Sequence, residues 1–143
     1  MPSLTVQLAS LHQQGPVLEV RVAVGQDTEN AMAKRNDKPK DPVVAVAMID
    51  TGATGTVINH DVAQRLGLQP VGVCDINTPS SVGVPCHEYL VRLVMPRHNV
   101  VVETVAIGAP LHGQHIQCLI GRDVLQHAVF IYTGYNNTFT LSF

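Results

Sequence analysis

A chain of 143 residues, 45% of them apolar, is long enough to bury a core as one domain (residues 1–143) and too apolar to stay disordered. Aromatics make up only 4% and Trp is absent, so the core is built of Val, Ile, Leu and Ala, and the many Val favour strands. A net charge of −2 with no basic stripe gives nucleic acid no electrostatic footing, and the apolar runs are too short to span a bilayer.

Three Cys, an odd number without framework spacing, point to a reducing compartment. Met1-Pro2-Ser3-Leu4 offers no basic n-region and no apolar h-region, so no signal peptide is read here. The expectation is a cytoplasmic protein with no membrane partner.

Along the chain, Leu4–Leu8 alternates as a half-buried strand does, either at an interface between copies or as an edge strand within one subunit. His12–Gly15 reads as a polar turn. In Val17–Val24, Leu18, Val20, Val22 and Val24 share one face, a strand that ends at Gly25. Residues 26–41 are polar and mixed in charge with no apolar period, and read as a long exposed loop, cleavable at Lys34-Arg35. Val43–Ile49 is an unbroken apolar run, expected to be a strand buried on both faces. Asp50 follows it at once. A buried, unpaired carboxylate costs several kcal/mol, so the surroundings must compensate it or the residue must serve a site.

After Thr56-Val57-Ile58, a short helix is expected over Asn59–Leu68, with Asn59 or Asp61 as cap, Gly67 at its end, and Val62 and Leu66 facing the core. Val71–Asn77 and Val84–Met95 read as strands around the turn-rich tip Thr78–Gly83. Further strands are expected at Val100–Gly108, Cys118–Gly121, Ala128–Tyr132 and Phe139–Phe143, with a short helix at Arg122–His127. His112, His115 and Cys118 have spacing that could hold a metal on a helix, but Gly113 and the strand context argue against one. Cys74, Cys86 and Cys118 carry no CxxC or nucleophile signature.

Asp50-Thr51-Gly52-Ala53, continued by Thr56-Val57-Ile58 and joined downstream by Leu119-Ile120-Gly121-Arg122-Asp123, resembles the retropepsin-like aspartic proteases. The resemblance runs from about Val17 to Phe143. It implies an all-β fold, a closed barrel of the acid-protease type with one or two short helices. It also implies an aspartic endopeptidase that needs no cofactor and binds no metal. With one Asp-Thr-Gly in the chain, it implies a homodimer acting on a peptide or protein substrate through Asp50 of two subunits. Thr51 would lock the paired loops, Gly52 would bond the substrate main chain, and Ala53 would line the pocket. Pro79, Ser80, Ser81, Val82 and Gly83 would form a flap, and Val82, Val84 and Ile107 pocket walls. Leu119, Ile120 and Gly121 would pack under the loop, and the C-terminal strand would help build a sheet between subunits. Viral relatives pair the Arg of this element with an acid where Thr54 stands here. The alternatives for Arg122 are Asp123, another acid or a backbone carbonyl. The competing reading is a retropepsin-like module that binds peptides or dimerises without cleaving.

Overall fold

A computed structural model describes residues 2–78, 81–111 and 114–143. In chain order the strands are β1 (Ser3–Gln7), β2 (Val17–Val24), β3 (Val43–Ile49), β4 (Val57–Asn59), β5 (Gly72–Thr78), β6 (Ser81–Met95), β7 (Val100–Ala109), β8 (Cys118–Ile120), β9 (Val129–Thr133) and β10 (Thr138–Ser142). The helices are few and short: α1 (Leu11–Gln14), α2 (Gln26–Lys34), α3 (His60–Leu66) and α4 (Arg122–Leu125).

Hydrogen-bonded neighbours run β2-β3-β8-β4-β7-β6-β5, and β2 also pairs with β6, Arg21 opposite Val94 through Val24 opposite Val91. That second pairing closes six strands into a barrel and leaves β5 outside it. β6 is long enough to do two jobs. Its second half pairs with β7 and β2 in the barrel wall, while residues 81–87 pair with β5 in a projecting hairpin. Val20, Val22, Ala47, Ile58, Val91, Leu93, Ala106, Cys118 and Ile120 are fully buried. Each larger aliphatic contributes about 1.5–3 kcal/mol of transfer free energy.

Four expectations change. β3 is not buried on both faces: Val43, Ala45, Ala47 and Ile49 are buried, but Val44 is 56% and Val46 37% exposed. A barrel wall has one inner and one outer face, and here Val supplies β propensity on the outer one. The stretch 26–41 is not all loop, since its first part is helix α2. No residue of α2 is buried, which is why no apolar period marks it. Asp27 and Glu29 sit in its first turn and Lys34 in its last, as the helix dipole favours. Tertiary bonds hold its start: Gln26 N–H donates to Glu103 (2.9 Å), and the Arg92 guanidinium pairs with Glu29 and donates to the Val24 carbonyl (2.8 Å). The turn near His12 is likewise helical. Ser10 Oγ caps α1 by accepting from Gln13 N–H, and Leu11 plugs the core.

The fourth change concerns the termini. β1, β10 and β9 form their own antiparallel sheet within the chain, with β10 in the middle. Leu4, Phe139 and Leu141 are buried by this pairing, and the rings of Phe130 and Phe139 meet edge to face at 6.1 Å. Both hydrogen-bonding edges of the C-terminal strand are thereby used inside one subunit, so it has none left for a partner.

The helix after β4 forms as expected. α3 starts at His60 with Asn59 as the extended cap, buries Val62, Ala63 and Leu66, and stops at Gly67 in the left-handed region (φ 63°).

Candidate active site

β8 lies between β3 and β4, and this arrangement builds the Asp50 loop. β3 delivers Asp50 to its end, where Asp50 N–H donates to the Ile120 carbonyl of β8 (2.9 Å). The chain then turns back. Asp50 Oδ1 accepts from Gly52 N–H (2.9 Å), and Ala53 N–H donates to the Asp50 carbonyl (3.2 Å). Asp50 and Ala53 are half-buried, while Thr51 and Gly52 face outward. The loop therefore presents its carboxylate and main chain at the surface of the single subunit.

Below the loop the backbone is packed as tightly as it can be. A Cβ on Gly121 would lie 2.5 Å from both the carbonyl carbon and the oxygen of Gly55. Only a residue without Cβ lets β8 pass so close to the loop. The start of α4 then reaches up: Arg122 N–H donates to the Ala53 carbonyl (2.9 Å) and Asp123 N–H to the Thr54 carbonyl (3.2 Å). The Arg122 guanidinium donates to the Thr51 carbonyl (2.8 Å) and Thr54 Oγ1 (3.2 Å). Of the partners expected for Arg122, a backbone carbonyl is taken, and the Thr54 hydroxyl joins it. The Leu119-Ile120-Gly121 element lies under the loop as the resemblance implies.

Sequence reasoning missed the polar pin beneath. Thr56 is fully buried. Its hydroxyl accepts from Gly121 N–H (3.1 Å) and donates to Asp123 Oδ1 (2.8 Å), while Thr104 Oγ1 donates to Asp123 Oδ2 (2.7 Å). One carboxylate thus joins the loop, α4 and β7. Asp123→Ala is expected to cost about 1–3 kcal/mol, because it strips the acceptor from buried Thr56. Asp123→Asn should cost less, since its oxygen can still accept from Thr56 and the Thr104 hydroxyl can turn to accept from the amide. Urea denaturation of the two variants measures the difference.

Of the anticipated flap, Pro79 and Ser80 lie outside the described residues. Ser81 opens β6 opposite Thr78, Val82 is 87% exposed, and Gly83 (φ 70°) donates its N–H to Asn77 Oδ1 (3.0 Å). Ile107 does adjoin the loop: its N–H donates to the Thr56 carbonyl (2.8 Å), and its side chain flanks Gly55. Two surface hollows, of about 220 Å³ beside Leu4, Leu18 and Met95 and about 430 Å³ between α2 and Leu66–Val71, do not include Asp50. His112 lies outside the described residues, among which no group of three His, Cys, Asp or Glu is placed to hold a metal. Cys118 is sealed in the barrel, and burial followed by the Asp123 charge pushes its thiol up to about 12.

A closed β-barrel with an Asp-Thr-Gly loop braced on a Leu-Ile-Gly strand defines the aspartic-protease class of domain. The family described as "gag-polyprotein putative aspartyl protease" matches residues 41–127, and the chain belongs to it. The fold is mostly β with few short helices. A comparison with curated proteins finds no match. Among solved structures, the chain is similar to a retropepsin-like aspartic protease from Rickettsia conorii (17% identity, TM-score 0.48, covering 87% of this chain and 90% of that one). It is also similar to EIAV protease complexed with the inhibitor HBY-793 (17%, 0.43, 84% and 93%). A third is the retroviral protease-like domain of Ddi1 from Leishmania major (16%, 0.45, 87% and 86%).

Proposed function

We propose that this chain, as one domain over residues 1–143, is an aspartic endopeptidase that acts as a homodimer and hydrolyses peptide bonds with a water held between Asp50 of two subunits. The observation that carries this reading is the setting of Asp50. It stands at the end of a barrel strand, on a loop cross-braced from below by Gly121 and Arg122, with its outer side open. A rigid base under an accessible carboxylate suits a catalytic group. Two carboxylates about 3 Å apart share one proton. The ionised one takes a proton from water, and the protonated one donates to the substrate carbonyl, stabilising its developing charge. The chain carries one Asp-Thr-Gly, so a two-fold axis must supply the second Asp50. Thr51 would brace the paired loops across that axis, Gly52 would meet the substrate main chain, and Ala53 would line the cleft. By the same resemblance, Pro79, Ser80, Ser81, Val82 and Gly83 would form a flap over the peptide. No cofactor enters this chemistry. We place the protein in the cytoplasm on its cysteine usage; none of its described helices is long and apolar enough to cross a membrane.

With β10 enclosed, the partner edge in this reading is β9. β9 ends the terminal sheet, and Val129 (53%) and Ile131 (51%) are exposed along it, whereas β1 at the other edge shows Ser3, Thr5 and Gln7. Antiparallel pairing of β9 with its symmetry mate would join two three-stranded sheets into one. Ile131→Lys is expected to shift the chain from dimer to monomer in sedimentation velocity, and cleavage should fall with it. A dimer unchanged by the substitution would place the interface elsewhere.

The test of function is cleavage of an unfolded protein by wild type and Asp50→Asn in parallel, between about pH 4 and 7, the range in which a shared-proton pair works. Cleavage by wild type alone supports the reading. Silence from both, in a folded dimer, favours a peptide-binding or dimerisation module.

A further inference from the structure

The projecting hairpin carries two of the three cysteines, and the pairing of β5 with β6 sets Cys74 directly opposite Cys86. Directly opposed residues of an antiparallel pair project to the same face, with Cα atoms about 4.5 or 5.5 Å apart. Both spacings fall inside the roughly 4.4–6.8 Å window that a disulfide spans. The burial pattern agrees. Gly72, Cys74 and Ile76 on β5, and Val84, Cys86 and Glu88 on β6, are the sheltered positions, while Val73, Asp75, Pro85 and His87 are exposed. Cys74 is half-buried and Cys86 buried, so one thiol is reachable and the other waits behind it.

We propose that Cys74 and Cys86 form a reversible cross-strand disulfide that staples the β5–β6 hairpin when the chain meets a low-molecular-weight disulfide such as oxidised glutathione. The Cys74 thiolate attacks the small disulfide, giving a mixed disulfide on Cys74 and releasing one thiolate. The Cys86 thiolate then attacks the Cys74 sulfur and expels the second. Two protein thiols are oxidised, one small disulfide is reduced to two thiols, and the two protons pass to the released thiolates. Burial, reinforced by the Glu88, Cys86 and Asp75 charges, pushes the Cys74 thiol up; burial and then Asp75 do the same for Cys86. Attack requires the thiolate, so exchange is slow at neutral pH and quickens as pH rises. Cys118, buried inside the barrel, is a built-in unreactive reference.

The consequence is mechanical. β5 is bonded to β6 alone over residues 81–87 and has no barrel neighbour there, so the hairpin is the least supported part of the sheet. A covalent rung at Cys74–Cys86, between the barrel wall and the tip, fixes its register and limits its twisting.

The test uses the full chain in glutathione buffers of increasing oxidised fraction, quenched with an alkylating agent and counted for thiols after denaturation. The count should fall from three to one, the intact mass should drop by two hydrogen atoms, and no glutathione should remain attached. Dithiothreitol should restore all three, and Cys86→Ser should trap glutathione on Cys74. Amide hydrogen exchange across residues 72–88 should slow in the oxidised protein. Three free thiols throughout the series, a glutathione adduct that persists in the wild type, or consumption of Cys118 would overturn the pairing. Unchanged exchange would overturn the staple. None of these readouts depends on peptide cleavage, so a chain that cleaves nothing leaves this inference standing or falling on its own.

Discussion

Replacement of Asp50 by Asn is expected to abolish peptide cleavage while leaving fold and assembly in place. The side chains are nearly isosteric, and the Asn oxygen can still accept the Gly52 N–H that Asp50 Oδ1 accepts now, so the turn at the end of β3 is kept. What the proposed mechanism loses is the ability to take a proton from water. General-base catalysis is worth about 10²–10⁴-fold, and a symmetric dimer loses both carboxylates at once, so turnover should fall by at least about a thousandfold. Mixed dimers of wild type and Asp50→Asn subunits, separated by an affinity tag on one of them, should be as inactive as the double variant, because one ionised group cannot play both parts. The measurement is peptide cleavage beside sedimentation and circular dichroism. An active Asp50→Asn protein would sink the dyad, and an active mixed dimer would sink the sharing.

Gly121→Ala is expected to be the most damaging single-methyl change in the chain. The obstacle to its Cβ is the Gly55 backbone at 2.5 Å, not a side chain that can turn away. Relief requires either the loop or β8 to move, which breaks Asp50 N–H to Ile120, Gly121 N–H to Thr56, or both. Overpacking of this kind costs about 1–3 kcal/mol, occasionally more, and here lost hydrogen bonds of about 1 kcal/mol each add to it. Much of a small domain's stability would go, and the altered protein should unfold at markedly lower urea. Gly67→Ala provides the contrast. Its Cβ would meet nothing within 4 Å, and only the left-handed backbone (φ 63°) opposes it, at about 1–2 kcal/mol. If Gly121→Ala proved the milder of the two, the tight passage under the loop would be wrong.

What could be read from the chain follows from what sequence periodicity encodes. Alternation in Val17–Val24 and Phe139–Phe143 reports that one face is covered, and both segments are strands. It does not report by what. Leu141 is buried whether its neighbour is β1 of the same chain or a strand of another, so the pairing of the termini had to come from the structure. The same limit explains β3, where Val44 and Val46 satisfy β propensity on the outer wall and so mimic burial. α2 was invisible for the opposite reason: it buries nothing, and its anchors, Arg92 and Glu103, lie far along the chain. At the site, Asp50 to Ala53 and Leu119 to Gly121 stood out because together they resemble the retropepsin-like signature. In the sequence Asp123 reads only as a partner for Arg122, since an acid at the start of a helix is ordinary. Its partners Thr56 and Thr104 are brought to it only by the folded barrel.

The terminal sheet also sets an order of events. Thr5 and Thr140 share a hydrogen bond across 135 positions of sequence, and every rung between β1 and β10 has a comparable span. Contacts so distant carry the greatest loop-closure entropy and reward the chain only after the intervening structure has formed. The barrel, with its hairpin-linked β6 and β7, and the local β9–β10 hairpin can assemble first, and the β1–β10 pairing is expected to be fixed last. β9 is flanked by β10 alone, and β10 is held in place by β1. In the homodimer proposed above, an assembly through the β9 edge would gain its full three-stranded support only once β1 has docked on the far edge of β10.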